Sequence, residues 1–366
     1  MLFIIDREPF LDGLQHISSV IEKKQTILIL SNVILSASNN SLVLRGSDLE
    51  IQLVIKLPVI LKESGNITVS IEKLLNIVRN LKELSKITCQ LKENIFCISS
   101  SRSRFQLSTL DPVNYPEFSL QSYSNKFKVS TKIFHNILAK TYFCMAIQDV
   151  RYFLNAVMLE ISDHEIKAVA SDGHRLAICS REEENLTEHP QQLLIPRKSV
   201  SELIQLLDKI DTSADIDTGE GNLRLTIEGF QFFTKLIDGK FPNFIDVFSE
   251  ERSKKIILAT KVIKEAVTRV MVLSHEKNRG ITFTFSENLL SINTINSIKE
   301  KGNEELDISY LETNFEVDLN CNYVLEALNN IESENVLISF GNSSNICFFQ
   351  NPDDNGLIYI VMPQHI

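Results

Sequence analysis

Alternating and helical stretches of apolar residues follow one another in the same order three times along the chain. An alternating stretch that runs into a helical one begins at residues 2, 127 and 256, and a second such pair begins at 67, 193 and 315. A Ser-Asp pair at 47–48 returns at 171–172, an interval of about 124 residues. Each copy is predicted to fold as β-α-β-β-β-β-α-β-β-β. The pattern therefore predicts three similar domains.

Six amphipathic helices are predicted, at 7–24, 72–82, 131–141, 197–209, 260–271 and 321–331, because apolar residues recur there at spacings of three and four. Period-two alternation predicts strands at 41–44, 49–57, 105–110, 223–227 and 281–285, and turns are predicted at 39–40, 221–222, 238–239 and 355–356. This pattern is typical of an α+β fold whose domains each hold two β-sheets with two helices on one face. Polar stretches place the domains at 1–123, 126–249 and 254–366.

Composition indicates an ordinary globular protein, with 43% hydrophobic and 23% charged residues. The sequence has no run of 18 apolar residues and no signal peptide, so we expect a cytoplasmic protein without a membrane partner. Its six cysteines lack zinc-site spacing and are expected to be buried free thiols. We expect no metal and no cofactor.

The charge distribution leaves two interpretations open. The net charge of −10 argues against nucleic acid, yet four of the predicted helices (72–82, 131–141, 197–209 and 260–271) together carry +7. All six helices sum to +6, so the remainder of the chain carries −16. Basic helices that share one face would form a surface suited to phosphates. Alternatively, Lys and Arg simply occupy solvated helix surfaces.

The sequence lacks the common motifs of phosphate-binding loops, dinucleotide-binding folds, zinc proteases and serine hydrolases. The only cluster that suggests catalysis is Ser171-Asp-Gly-His-Arg175. Residues so close in sequence do not readily form a catalytic triad, and Asp-Gly favours a turn. We therefore favour a binding surface or a polar turn at this position over hydrolysis. A metal held by Asp48 and Asp172 is also disfavoured, because these residues occupy equivalent places in different repeats.

Several segments together resemble the bacterial DNA sliding clamp, the β subunit of DNA polymerase III. They are 148–155, 171–177, 195–198, 238–242, 335–336 and 359–363, and the resemblance covers the whole chain in order. It implies three clamp domains per chain, with two helices of each on the inner face, in a head-to-tail homodimeric ring. The implied function is a non-enzymatic processivity factor that encircles double-stranded DNA without reading its sequence. Its implied partners are the polymerase III catalytic subunit, the clamp loader, other polymerases and repair proteins, which bind through short apolar peptides.

The resemblance and the charge pattern together nominate three sets of residues. The DNA-binding set is Lys24, Gln148, Tyr152 and Phe153 from the resemblance, with Lys73, Arg79, Arg197 and Lys198 from charge alone. The partner-peptide pocket is implied to contain Leu154, Gly173, His174, Arg175, Leu176, Pro242, Val247, Asn320, Tyr323, Ile360, Val361, Met362 and Pro363. The implied dimer interface contains Phe105, Leu107, Val272 and Leu273, and complementary charge adds Arg102, Arg104, Glu300 and Glu304.

The chain departs from the best-known relatives at Asp246, Asn278 and Ser344, where they carry Arg, an aromatic residue and Val. These differences bear on partner affinity and leave the architecture unaffected. Two other function classes remain open. One is an enzyme that acts on nucleic acid at the Asp48 or Asp172 turn, and the other is a repeat scaffold that binds only proteins.

Overall fold

The predicted repeat is present three times in the structure, a computed structural model that describes residues 1–22, 27–118, 122–184, 186–187, 190–275 and 279–364. The first repeat contains β1 (Leu2–Asp6), α1 (Arg7–Val20), β2 (Asn32–Ser38), β3 (Ser41–Ser47), β4 (Ile51–Pro58), β5 (Ile60–Glu63), β6 (Gly65–Ser70), α2 (Ile71–Arg79), β7 (Lys86–Lys92), β8 (Ile95–Ser100) and β9 (Ser103–Ser108). The short strand β5 is an addition to the predicted pattern.

The second and third repeats match the predicted order of elements. The second contains β10 (Tyr123–Ser130), α3 (Thr131–Thr141), β11 (Ala156–Ile161), β12 (Glu165–Ser171), β13 (Arg175–Glu182), β14 (Gln191–Pro196), α4 (Arg197–Leu207), β15 (Ser213–Gly219), β16 (Asn222–Ile227) and β17 (Phe230–Lys235). The third contains β18 (Lys254–Ala259), α5 (Thr260–Val270), β19 (Gly280–Ser286), β20 (Leu289–Ile295), β21 (Lys301–Asp307), β22 (Phe315–Asn320), α6 (Cys321–Asn329), β23 (Asn335–Phe340), β24 (Cys347–Asn351) and β25 (Asp354–Val361).

The chain forms two compact units that do not coincide with the repeats. The first unit is residues 1–132 with 201–236, and the second is 133–200 with 237–366. The first holds a five-stranded sheet, β5-β1-β7-β8-β9, and an eight-stranded sheet, β10-β15-β16-β17-β4-β3-β2-β6. The second holds an eight-stranded sheet, β14-β11-β12-β13-β25-β24-β23-β18, and a four-stranded sheet, β21-β20-β19-β22. The strands of the second repeat are thus divided between two sheets, each shared with a different neighbouring repeat.

The helices bury one apolar face each, as their spacing predicts. In α1, Phe10, Leu14 and Ile17 are fully buried, and the helix packs on α2, β3 and β4. Strand β3 approaches so closely that a Cβ on Gly46 would lie 2.7 Å from the Ile17 side chain. Only glycine fits at this crossing.

Five predicted helix ends lie too far along the chain. The predicted helix 7–24 ends at Val20, because Ile21 adopts extended geometry (ψ 121°) and turns its side chain into the core. Helix α2 ends before Asn80, whose side-chain amide donates to the Asn76 carbonyl oxygen at 2.8 Å. The other three ends move by one or two residues, to Leu207, Val270 and Asn329. Apolar periodicity continued past these ends, but local backbone geometry at Ile21 and the side-chain cap at Asn80 ended the first two helices, and α5 continues beyond Val270 as a 3₁₀ turn at Met271–Leu273.

Two predicted turns are misplaced. The turn predicted at 221–222 lies one residue late, because Asn222 begins β16 opposite Gly219 and the chain reverses at 220–221. The turn predicted at 355–356 lies inside β25, and the chain reverses at 352–353 instead. The two β-strands pair irregularly there, with Asn351 opposite Asp354. Asp354 Oδ1 accepts the Gly356 amide hydrogen. This hydrogen bond stabilises the backbone just after the reversal, a role that was expected of the Asn355-Gly356 pair. The turn predicted at 39–40 is confirmed, since both asparagines have positive φ (48° and 54°).

The six cysteines are free, and five of them are fully buried, as expected for apolar thiols. Cys97 on β8 is the partly exposed one. No helix in the described ranges is both long enough and apolar enough to cross a membrane.

We expect Phe285→Ala to lower the free energy of unfolding by about 3–5 kcal/mol. The substitution removes a ring with no exposed surface, which stacks on Phe315 at a centroid distance of 4.5 Å. Hydrogen exchange of the β19 and β22 amides measures the local loss of stability, and its rate should rise by at least about a hundredfold. The control Ile257→Ala removes a side chain that is 58% exposed and should change exchange little. Equal effects from both variants would contradict this view of the core.

Candidate functional site

An apolar cluster in the second unit underlies most of the predicted pocket. Its buried members are Ala146, Leu154, Ala156, Met158, Val169, Leu176, Ile178, Leu194, Phe241, Phe348 and Ile360. Partly buried side chains flank it: Phe153, Ile237, Phe244, Val247, Phe248, Ile346 and Ile358. Leu176 on β13 pairs directly with Ile360 on β25, so strands of two repeats build one floor. Val361, next along β25, is also buried.

The predicted polar pocket residue Arg175 is a hub of internal contacts. Its guanidinium donates to Asp172 Oδ2 (3.0 Å) and to the Phe143 carbonyl oxygen (2.8 Å), and it also pairs with Glu326. It lies 4.4 Å from the ring centroid of Tyr323, a second predicted pocket residue. These contacts make Arg175 a structural support for the pocket.

The Ser-Asp turns at 47–48 and 171–172 have the same hydrogen-bonding pattern. Asp48 Oδ1 accepts the amide hydrogens of Glu50 and Ile51, and Asp172 Oδ1 accepts those of His174 and Arg175. One carboxylate oxygen in each turn therefore stabilises the backbone. This is the polar turn that the sequence left as an alternative to catalysis.

The tail of the chain continues the β13–β25 pairing at the rim of the cluster. The Met362 amide donates to the His174 carbonyl oxygen (2.9 Å), and the Gln364 amide donates to that of Asp318 (2.9 Å). Asn320, the last residue of β22, caps the N-terminus of α6, and its side-chain oxygen accepts the amide hydrogens of residues 322 and 323. Gly173, His174, Pro242 and Pro363 are exposed, and Met362 is half-buried. Val247, Asn320 and Tyr323 are also partly exposed, so solvent reaches seven of the predicted pocket residues in addition to Met362.

The loop 146–154 adjoins this rim. Its ends meet through a hydrogen bond from the Ala146 amide to the Leu154 carbonyl oxygen (3.1 Å). Val150 is 96% exposed and Tyr152 56%, while Phe153 packs against the apolar cluster. Of the DNA-binding residues predicted here, Gln148 and Tyr152 are thus available to a ligand. Phe153 is mainly a packing residue.

Arg151 anchors this loop, a role that the sequence did not indicate. Its guanidinium forms two hydrogen bonds with the Asp149 carboxylate (3.0 and 2.8 Å) and one with the Asp172 carbonyl oxygen (3.2 Å). The Arg151 side chain, followed by the Arg151 amide, lowers the pKa of Asp149 to about 2. The Asp149–Arg151 spacing was visible in the sequence, but its bridge to the 171–175 turn depends on tertiary structure.

The four cations nominated from charge alone differ in exposure and contacts. Lys73 and Arg79 are exposed on α2. Arg197 donates to the Met145 carbonyl oxygen (2.9 Å) and lies 4.3 Å from the ring centroid of Tyr142, so it supports the fold. Lys198 is half-buried. Lys24 lies outside the described residues, as does Asn278.

The proposed dimer residues lie on or beside two unpaired sheet edges. Strand β9, with Arg104, Phe105 and Leu107, is an edge of the five-stranded sheet, and β21 is an edge of the four-stranded sheet. Arg102 precedes β9 in the turn from β8, and Glu300 immediately precedes β21. Val272 is largely exposed, and Leu273 is half-buried.

Two acids of this set already have partners within the chain. Glu304 is held by Arg269 through bonds of 2.8 and 3.0 Å, and Glu300 accepts a hydrogen bond from Asn296 (2.7 Å). Charge pairing across an interface would therefore compete with these contacts.

Comparison with known proteins covers the whole chain. The models for the N-terminal, central and C-terminal domains of the DNA polymerase III beta subunit match residues 1–119, 128–243 and 246–365. The chain is 35% identical to the beta sliding clamp of Pseudomonas aeruginosa and 34% identical to that of Escherichia coli K12, with 100% of each chain covered. A solved P. aeruginosa sliding clamp bound to griselimycin superposes with a TM-score of 0.97 at 35% identity, again over 100% of both chains.

The lowered pKa of Asp149 gives a testable pH dependence. Because folding depresses this pKa, the ionised carboxylate stabilises the loop above the unfolded pKa of about 4, and the effect is lost as pH falls through about 2. Carboxyl NMR should therefore place the Asp149 midpoint near pH 2, and Arg151→Gln should move it up towards 4. A midpoint near 4 in the unaltered protein would contradict the anchor.

Proposed function

Because the chain belongs to the DNA polymerase III beta subunit family, the beta sliding clamps, we propose that it acts as a processivity factor. Two copies close head to tail into a ring around duplex DNA and tether the replicative polymerase and repair proteins. The observation that carries the proposal is the pair of open edges β9 and β21 in a chain that matches clamps over its full length. The domain limits 1–123, 126–249 and 254–366 remain part of this proposal.

The two junctions between repeats supply the rule for closing the ring. In the first unit, the last strand of the second repeat, β17, pairs antiparallel with β4 of the first repeat. In the second unit, the last strand of the third repeat, β25, pairs antiparallel with β13 of the second. By the same rule, β9, the last strand of the first repeat, should pair with β21, the third-repeat counterpart of β4 and β13. A second copy supplies that partner strand.

An aromatic residue at one repeat position supports this pairing. Phe232 on β17 faces Leu53 and has no exposed surface, and Tyr359 on β25 faces Ala177 and is 1% exposed. The corresponding residue of β9 is Phe105, which is 38% exposed. The aromatic ring at this repeat position is therefore buried at both internal junctions and partly exposed at the open edge. A partner strand would bury it.

The hairpins fix the expected register. The β8–β9 hairpin pairs Ser100 with Ser103 as the β16–β17 hairpin pairs Ile227 with Phe230, which aligns Phe105 with Phe232. The last pair of the β20–β21 hairpin is Ile295 with Lys301, and the last pair of the β3–β4 hairpin is Ser47 with Gln52. Lys301 therefore corresponds to Gln52, and the next residue, Gly302, corresponds to Leu53. The rule then places Phe105 opposite Gly302, Arg104 opposite Asn303 and Arg102 opposite Glu305.

This register suits the side chains on both edges. Gly302 has no side chain to oppose the Phe105 ring, and Gly302 also lines a cavity of about 340 Å³. Glu305 is an exposed acid, so it replaces Glu304, which Arg269 occupies, as the expected partner of Arg102. Leu107, Val272 and Leu273 add apolar area around the paired strands. Apolar burial supplies most of the affinity in such contacts, and charge selects the register.

Contacts to DNA would be to phosphates, because a sliding ring cannot depend on bases. The exposed cations Lys73 and Arg79 and the exposed loop residues Gln148 and Tyr152 are the best-supported contacts. Lys24 and Lys198 remain proposals from the sequence, and Arg197 contributes chiefly through packing.

The pocket would bind short apolar peptides of the polymerase III catalytic subunit, the clamp loader and other polymerases and repair proteins. Its apolar floor with a polar rim is the arrangement that peptide side chains need. We assign no catalytic residue, metal or cofactor to the chain and place it in the cytoplasm, at the nucleoid during replication. The alternative of an enzyme at Asp48 or Asp172 is weakened by the turn-forming role of both carboxylates.

Ring closure predicts that Leu107→Ala combined with Leu273→Ala gives a folded monomer. Each truncation removes about 2–4 kcal/mol of the free energy that holds the dimer together, and each contact occurs twice per ring. The variant should sediment as a monomer, keep its circular dichroism spectrum and lose retention on circular duplex DNA after loading. The control Leu311→Ala, an exposed leucine outside both edges, should stay dimeric and retained. A double variant that remains dimeric at sub-micromolar concentration would overturn the interface.

The pocket assignment predicts that deleting residues 362–366 weakens peptide binding by more than tenfold. The deletion removes the half-buried Met362 and the backbone bonds of residues 362 and 364 to the rim. Calorimetry with griselimycin, the compound bound in a solved relative, and with a short apolar peptide measures the loss. Sedimentation checks that the dimer persists. Undiminished binding of both ligands would exclude the tail from the pocket.

A further inference from the structure

A cavity of about 450 Å³ lies in the first unit, where α1 of the first repeat meets the end of α4 of the second. Its floor is apolar, because Ile55 on β4 and Phe230 on β17 form a direct cross-strand pair there, and Leu206 and Ile210 add aliphatic surface. A concave, largely apolar space of this size is typical of sites for small ligands. The peptide pocket belongs to the second unit, so this cavity is a separate feature of the molecule.

Charged side chains line the mouth of this cavity and give it a preference for cations. Asp12 on α1 and Asp208, directly after α4, are both exposed. His16 is half-buried, with its Nε2 atom 3.7 Å from Asp12 Oδ1, and Lys209 is exposed. The C-terminal end of α4 adds the partial negative charge of its last carbonyl oxygens. Two carboxylates and a helix end outweigh the one lysine, so a positively charged ligand is favoured here.

The second repeat junction shows which cation such a place accepts. Helices α3 and α6 begin at residues 131 and 321, each 124 residues after α1 and α4, so Lys140 on α3 corresponds to His16 on α1. The Lys140 ammonium donates to the Asn330 carbonyl oxygen (2.8 Å), just past the end of α6, and to the Glu332 carboxylate (2.6 Å). The Lys140 side chain is only 11% exposed. A primary ammonium on an aliphatic stem therefore joins the two helices at this junction.

The first junction has comparable acceptors but no lysine on α1 to reach them. Asp208 follows α4 as Glu332 follows α6, again 124 residues apart, although α4 is two residues longer than α6. The shorter side chain of His16 pairs with Asp12 on its own helix. Gly13 stands where α3 carries the fully buried Ile137, so one more side chain is missing from this side of the junction. The result is an open space where the second junction holds its own ammonium group.

We propose that this cavity is a binding site for a small aliphatic primary amine. The aliphatic chain packs on Ile55 and Phe230, and the ammonium donates to the Asp208 carboxylate and to a carbonyl oxygen at the end of α4, as Lys140 does at the second junction. A carboxylate accepts several hydrogen bonds, so Asp208 can bind the ammonium in addition to its contacts within the chain. The bound amine would join the first repeat to the second.

Methyl NMR of the full-length protein with labelled Ile and Leu residues tests the proposal at the cavity itself. The methyl groups of Ile55, Leu57 and Ile210 line the cavity, and the exposed Ile257 of the second unit serves as the control methyl. Pentylamine and 1-pentanol are titrated separately. They share one aliphatic chain and differ in whether a charged ammonium is present, so the difference between their affinities measures the contribution of the ammonium.

Four variants separate charge at the cavity from charge elsewhere. Asp208→Asn removes the charged acceptor, and Glu220→Gln makes the same charge change at an exposed acid outside the cavity. His16→Lys supplies from within the chain the ammonium that Lys140 supplies at the second junction. Gln15→Lys adds the same charge at an exposed position of α1 that does not line the cavity.

We expect pentylamine to shift the three cavity methyls and to bind about fivefold or more tightly than 1-pentanol, because its hydrogen bonds are charge-assisted. Asp208→Asn should lose this preference, and His16→Lys should no longer bind pentylamine. Glu220→Gln and Gln15→Lys should behave as the unaltered protein. Equal affinities for the two ligands, an undiminished preference in Asp208→Asn, or an equally large shift of the Ile257 methyl would overturn the proposal. Peptide binding and ring closure do not enter this measurement, so its failure would leave the proposed clamp function standing.

Discussion

The fold and the proposed assembly both depend on the need of β-strand edges for a partner. Each strand edge presents backbone N–H and C=O groups that must be hydrogen-bonded, and a long open edge invites another chain. The sheets satisfy this need at two junctions by pairing β17 with β4 and β25 with β13. The equivalent strands β9 and β21 remain open. Three repeats thus form two paired junctions within the chain and leave unpaired the two strands, β9 and β21, that would form a third. A second copy can pair with both strands and so close a ring.

One of these junctions, β13 with β25, also builds the proposed binding surface. Strands β13 and β25 pair across two repeats, and their side chains Leu176 and Ile360 form the floor of one apolar cluster. Arg175, the first residue of β13, supports the cluster edge through Asp172, Glu326 and Phe143. Arg151 links the adjoining loop to the same turn. A pocket on paired strands is held rigidly, which lowers the entropy cost of binding a peptide.

Periodicity in the sequence predicted the order of elements and most strands, because apolar spacing reflects which face is buried. It did not predict where helices stop, since Ile21 and Asn80 end them through local backbone geometry and capping. It could place Leu154 and Ile360 in one pocket only through resemblance to a family. Charge counts could not separate the exposed Arg79 from Arg197, whose guanidinium packs on Tyr142. The partners of Arg151 and Lys140 arise from tertiary contacts, so single-sequence patterns do not reveal them.

The register of β9 against β21 is the most direct test of the account. Arg104→Cys with Asn303→Cys places two cysteines directly opposite one another, with their Cα atoms about 5 Å apart as in any antiparallel pair, which suits a disulfide. Arg104→Cys with Lys301→Cys shifts the two cysteines by two residues. Both pairs are made in a Cys97→Ser background, because Cys97 lies on the neighbouring strand β8. After oxidation, the account predicts covalent dimers on a non-reducing gel for the first pair and little for the second. Crosslinking of the second pair alone, or of neither pair in a protein that sediments as a dimer, would contradict it.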